Sequence, residues 1–215
     1  MRFQVMVEAE LPTDSLNYHV VSNAVKAAKD VEGMTCEIGV RRGGGSKFII
    51  DALVEMNKNV PHIGIDPFGN IEYFADEKYG VIRQDYSNSM KLEMLTNMSL
   101  YCLQKNINYV FFNLEDTEFF NRYTDGVPIY NEVKKIWNKY SSVLLDGPHN
   151  ILALKTEIDF FNQRMDIGAT LILDDLELYP HFEEIDPYLK NSGWNLLELA
   201  NKTSTNHKAS YVKVK

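Results

Sequence analysis

Apolar residues along this chain fall into short continuous runs, separated by longer stretches in which they recur every three or four positions. The short runs are Met34–Val40, His62–Ile65, Tyr109–Phe112, Ser142–Leu145 and Thr170–Leu173. Each is the length of a strand buried on both faces, and most end at Asp, Gly or Asn. The recurrent stretches predict helices. Asp14 or Ser15 can cap one that carries Leu16, Val20, Val21, Ala24 and Ala28 on one face. Others are predicted from Lys47 to Val54, over Ser89–Lys105, over Tyr130–Tyr140, over Ile151–Met165 and over Phe182–Lys190. In the helix from Ile151, the predicted core contacts are Leu152, Ile158 and Phe161.

Strands alternating with helices predict a parallel sheet covered on both faces. Two final strands, Trp194–Leu199 and Ser210–Val214, have no helix between them and predict a hairpin, so one end of the sheet is antiparallel. Phe3–Val7 alternates weakly and reads as an edge strand or an arm.

A length of 215 residues suits one domain: a strand/helix segment over 1–32 leads into an α/β core over 33–215. No apolar run reaches the roughly 18 residues of a membrane span, and Met1–Val5 begins no signal-peptide apolar region. Cys36 and Cys102 fall in predicted buried elements and read as reduced thiols, so a cytoplasmic setting is expected. Net charge is −8, from 30 acidic and 22 basic residues, and Arg41-Arg42 is too short a basic run for a nucleic-acid footprint. The expected partner is a small molecule, with no nucleic acid and no membrane; homo-oligomerisation stays open.

The candidate chemistry begins at Cys36-Glu37-Ile38-Gly39-Val40-Arg41-Arg42-Gly43-Gly44-Gly45-Ser46, where an acid closes a strand and a glycine loop opens a helix. Such a turn lets a ligand approach the backbone beside free helix N–H groups. The dinucleotide pattern G-x-G-x-x-G fails here. Counting from Gly39 its second glycine is Arg41, and counting from Gly43 its third is Phe48. The phosphate-loop pattern fails because Gly45 stands where its lysine belongs.

The remaining pattern, acid-x-Gly-x-x-x-Gly-Gly-Gly-Ser, resembles the first motif of class I S-adenosylmethionine-dependent methyltransferases, and more narrowly that of macrocin-type sugar O-methyltransferases. One extra glycine is present here. The resemblance implies a seven-stranded Rossmann-like sheet, mostly parallel with an antiparallel last strand, as a single methyltransferase domain. It implies a cofactor site of Glu37, Gly39, Gly43, Gly44, Ser46, Asp66, Phe68 and Asp116. Asp66 would accept from the ribose hydroxyls, Phe68 would pack on the adenine, Asp116 would accept from its amino group, and Glu37 would hold the loop or the methionine amine.

Asp146-Gly147-Pro148-His149 and Asp174-Asp175 end neighbouring predicted strands. Converging carboxylates suit Mg²⁺ or a similar divalent cation, and the pattern resembles the metal site of macrocin-type and catechol O-methyltransferases. Asp146, Asp174 and Asp175 are the expected metal ligands. Asp146 and His149 are the expected catalytic pair, with His149 as general base. The implied activity is O-methylation of a sugar or a catechol-like diol. Tyr123, Tyr130, Tyr179 and Phe182 are candidate walls of the acceptor pocket. Two alternatives stand beside it: a metal-free methyltransferase in which Asp146 only orients His149, and a cofactor-binding relative with other chemistry, such as the hydroxylase-named members of that group. His19, His62, His181 and His207 read as structural or surface residues.

Overall fold

The computed structural model describes residues 9–13, 15–69, 86–148, 150–176, 181–200 and 208–215. The chain runs α1 (His19–Ala27), β1 (Met34–Ile38), α2 (Gly44–Glu55), β2 (His62–Ile65), α3 (Asn88–Lys105) and β3 (Tyr109–Phe112). It continues through α4 (Asp116–Arg122), β4 (Val127–Asn131), β5 (Val133–Trp137), β6 (Tyr140–Leu145), α5 (Ile151–Asn162) and β7 (Thr170–Leu173). It ends with α6 (His181–Asn191), β8 (Trp194–Leu199) and β9 (Ala209–Lys213). Phe3–Val7 and Asp14 lie outside the described residues.

Seven strands form one sheet in the order β3-β2-β1-β6-β7-β9-β8. Neighbours are parallel from β3 to β7, and β9 runs antiparallel to both β7 and β8. The pleat divides the core in two. Met34, Cys36, Ile38, Val143, Leu145, Leu171 and Leu173 face α4, α5 and α6. Leu144 and Ile172 face α1, α2 and α3. Both cysteines are free and buried. Among the described residues no helix is long and apolar enough to cross a membrane.

Three sequence expectations are corrected. Tyr130–Tyr140 is a hairpin rather than a helix: β4 and β5 pair antiparallel around Glu132, whose φ is +54°. Tyr130, Val133, Ile136 and Trp137 imitate helical spacing, but Val127 and Ile129 alternate inward against exposed Pro128 and Tyr130, a period of two. Leu152 is 78% exposed, and Leu154 and Glu157 share the inward face of α5 with Ile158 and Phe161. Finally, α1 starts at His19 after Tyr18 with no side-chain cap, and Leu16 is exposed, so Ser15 does not serve as its cap.

Candidate active site

The order of strands reverses between β1 and β6, since β2 and β3 build outward on one side and β7 on the other. Ligands of open α/β sheets sit at the carboxyl ends of the strands flanking such a reversal. Gly39 follows β1 and Asp146 follows β6, and the two turns are tied by Asp146 N–H donating to the Ile38 carbonyl at 2.9 Å. Gly39 has φ +84°, and an added Cβ would overlap the Asp146 carbonyl, so only glycine fits. Above this seam lies a cavity of about 380 Å³. Gly39, Asp66, Asp116 and Asp146, four of the predicted site residues, line it together with Pro67 and Tyr86.

Asp66 ends β2 and is 1% exposed. Its Oδ2 accepts from the Arg41 N–H at 2.8 Å, while Oδ1 is buried without a hydrogen-bond partner. Burial pushes the carboxyl up to about 7, against the downward pull of the Arg41 and Val40 amides and the Arg41 charge. Asp116 opens α4, and its Oδ1 accepts from the Thr117 N–H at 2.7 Å.

Glu157, on α5, lies against Asp116 behind this wall and was missed by sequence reasoning. It is 1% exposed. Asp116 Oδ2 and Glu157 Oε1 are buried and make no hydrogen bond of ordinary geometry, yet the two carboxyls lie close enough to share a proton. Burial, then the neighbouring Asp116, holds Glu157 well above the usual carboxylate range. Burial also raises Asp116, with the Thr117 amide and Glu157 opposing it. Of the two, Glu157 is the more deeply buried and is the one held further towards its protonated form. Its one sequence signal is a lone acid within the stripe Leu154, Glu157, Ile158, Phe161.

The glycine loop divides its duties. Glu37 points from β1 to the α2 side of the sheet, is 1% exposed, and does not line the cavity. Ser46 Oγ donates to Glu37 Oε2, His62 Nε2 lies 2.8 Å from Ser46 Oγ, and Thr35 Oγ1 lies 3.0 Å from His62 Nδ1. With Ser46 donating to the carboxylate, His62 must donate from Nε2 and accept from Thr35. Burial lowers His62 to about 3, so this imidazole stays neutral. Of the two roles expected of Glu37, holding the loop is the one these contacts serve.

Gly43, Gly44 and Ser46 do not reach the cavity wall either. A Cβ on Gly43 would meet Met98 Sδ at 2.9 Å and Leu11 Cδ2 at 3.0 Å. One on Gly44 would meet the Pro12 carbonyl at 2.9 Å. These glycines admit Leu11, Pro12, Thr13 and Tyr18 against the start of α2.

Phe68 packs on Tyr86 and Phe111, at ring separations of 5.9 and 6.0 Å, and joins the core on the α3 side rather than the cavity wall. Of the candidate acceptor walls, Tyr123 packs on Phe112 and Phe119, Tyr130 is 72% exposed on the hairpin, and Phe182 packs against the core. Tyr179, His207 and the expected base His149 lie outside the described residues, as does the His181 side chain.

Asp146, Asp174 and Asp175 line a second, small hollow of about 20 Å³ together with Glu157. Asp174 is already engaged: Lys208 Nζ lies 2.5 Å from its Oδ2, and the Asp175 N–H donates to its Oδ1 at 2.8 Å. Among the described residues no group of three His, Cys, Asp or Glu side chains could hold a metal ion. The expected Mg²⁺ set thus finds no support in these residues.

No protein-family model matches the sequence, and no curated protein matches it. Solved structures do match its fold. The O-methyltransferase TomG from Streptomyces achromogenes, solved in complex with S-adenosylmethionine, superposes with a TM-score of 0.62 at 10% identity, over 95% of this chain and 82% of its own. The O-methyltransferase NovP gives a TM-score of 0.61 at 17% identity, over 92% and 79%. The O-methyltransferase from Bacillus cereus, solved with SAH, gives 0.58 at 9% identity, over 94% and 84%. The fold is the Rossmann-like fold of the methyltransferases, a seven-stranded, mostly parallel sheet with its last strand antiparallel.

Proposed function

We propose that this protein is an S-adenosylmethionine-dependent O-methyltransferase acting on a hydroxyl of a small molecule. The observation that carries the reading is the buried carboxylate oxygen Asp66 Oδ1, which has no hydrogen-bond partner, on a residue that lines with Asp116 one cavity at the reversal of strand order. Buried polar atoms are nearly always satisfied, so Asp66 Oδ1 calls for a donor from a ligand, while the Asp116 carboxyl, beside Glu157, keeps lone pairs for a further donor. A ribose diol and an adenine amino group supply such donors. Asp66 would hold the first and Asp116 the second, with Gly39 allowing close approach of the backbone. Glu37 would act at one remove, by fixing the loop.

When bound, the cofactor supplies an electrophilic methyl group on a sulfonium. The protein's task is then to place an acceptor oxygen in line and to remove its proton. Asp146, on the cavity wall, and His149 are our candidates for handling that proton. The donor set expected for Mg²⁺ does not fit, because the Asp174 carboxylate is engaged by Lys208, and no step is assigned to a metal. The likeness to TomG, an O-methyltransferase involved in tomaymycin synthesis, and the net charge of −8 support a small-molecule acceptor over a polyanion, and a sugar or diol is the acceptor we favour.

Thermal denaturation with and without S-adenosylmethionine tests the reading. A ligand of the folded state must raise the melting temperature. A rise in the wild type that is lost in Asp66→Ala supports it, and an unmoved wild type ends it.

A further inference from the structure

Asp174 and Lys208 bury a charge pair at the carboxyl end of β7. Leu173 pairs with Ala209 across antiparallel strands, so the next residue beyond each strand faces the other. Both side chains are almost fully enclosed, Lys208 at 0% and Asp174 at 1% exposure. The ammonium lies 2.5 Å from Asp174 Oδ2 and 2.5 Å from Ser15 Oγ, and the Tyr18 ring lies 4.7 Å from it. Ser15 Oγ is also 3.4 Å from Asp174 Oδ2.

A lysine ammonium has three N–H donors and no acceptor. Here two meet oxygens, and an aromatic face covers the cation. Both oxygens of Asp174 are engaged, one by Lys208 and one by the Asp175 amide. A divalent ion approaching Oδ2 would meet a buried positive charge in a low-dielectric setting, where like charges repel far more than in water.

We propose that the Lys208 ammonium occupies the place a divalent cation would take beside Asp174, so that this protein neutralises its strand-end carboxylate with a side chain and works without a metal ion. The catalytic half rests on the methyltransferase reading; the charge substitution does not. A covalently tethered cation cannot exchange or be chelated, and it fixes positive charge beside the site at any magnesium concentration.

The full-length protein is melted in EDTA, in MnCl₂ and in MgCl₂, each with and without S-adenosylmethionine. The wild type should melt at the same temperature with and without either ion. Its methyl transfer, once an acceptor is found, should survive EDTA. A saturable rise of the wild-type melting temperature with Mn²⁺ or Mg²⁺ overturns the proposal, as does EDTA inactivation reversed by the ion. Lys208→Ala should melt lower than the wild type and should recover part of the loss when Mn²⁺ is added. If that variant does not fold, Lys208→Gln is read in its place. A folded Lys208→Gln that melts like the wild type and gains no Mn²⁺ response overturns the proposal as well. Failure of S-adenosylmethionine to raise the melting temperature would instead sink the functional reading and leave the cation result legible.

Discussion

The backbone N–H of Arg41 holds Asp66 by one oxygen, Oδ2, at 2.8 Å, and leaves Oδ1 buried with no partner. The carboxyl is half organised for a ligand. Its proton affinity in the folded state, raised to about 7 by burial, exceeds that of the unfolded chain, whose ordinary value is 3.8. Its contribution to stability is therefore fully present below 3.8 and is lost as pH rises through about 7. The slope from this group approaches about 1.4 kcal/mol per pH unit. Urea denaturation at several pH values between these limits should show the decline, and Asp66→Asn should flatten it. Cofactor affinity should run the opposite way, rising with pH because donated hydroxyls favour the ionised carboxylate.

Glu157 should behave as a neutral hydrogen-bonding group. Glu157→Gln is expected to keep stability within about 1 kcal/mol of the wild type, while Glu157→Ala, which leaves Asp116 without its neighbour, costs about 1–3 kcal/mol. Chemical denaturation separates the two. Equal damage from both would show that Glu157 is ionised in the folded protein.

Two glycines should differ in kind. Gly39→Ala drives a Cβ into the Asp146 backbone, which is itself hydrogen-bonded to Ile38 and cannot retreat. Together with the left-handed φ, this should cost at least about 3 kcal/mol and abolish cofactor binding, because the glycine lines the cavity. Gly45→Ala meets side chains instead, Glu37 and Leu144, and should cost about 1–3 kcal/mol. Cofactor titration of whichever variant folds is the check.

The buried charge pair predicts non-additivity. Asp174→Leu and Lys208→Met should each cost about 3–5 kcal/mol, since each strands a buried charge, and the double variant should lose much less than their sum. A double-mutant cycle by thermal denaturation would read the coupling directly, and simple additivity would refute it.

The strand tips were legible because each acid follows an apolar run: Asp66, Asp116 and Asp146 all reach the cavity, and Gly39 lies between them. The rest of the glycine cluster is harder to read, because glycine serves both the close approach of a ligand and that of another chain segment. At Gly43 and Gly44 it is Leu11, Pro12 and Tyr18 that approach. Phe68 read as a cofactor contact because an aromatic beside a strand-end acid fits both a pocket and a core. The Tyr130–Tyr140 hairpin shows how a run of five or six residues satisfies two periodicities at once, with the alternating burial of Val127 and Ile129 as the deciding signal. Lys208 was illegible for a different reason. Its partner lies 34 positions away and is brought to it only by strand pairing between β7 and β9.

That separation bears on how the molecule is made. A nascent chain that has emerged only as far as β7 carries Asp174 with no counter-charge, and β9, the strand that directly follows Lys208, leaves the ribosome after both β7 and β8. It then has to enter between β7 and β8 rather than add at an edge. Closure of this half of the sheet thus waits for β9, and a chain stopped short of residue 208 is one that quality-control proteases should recognise.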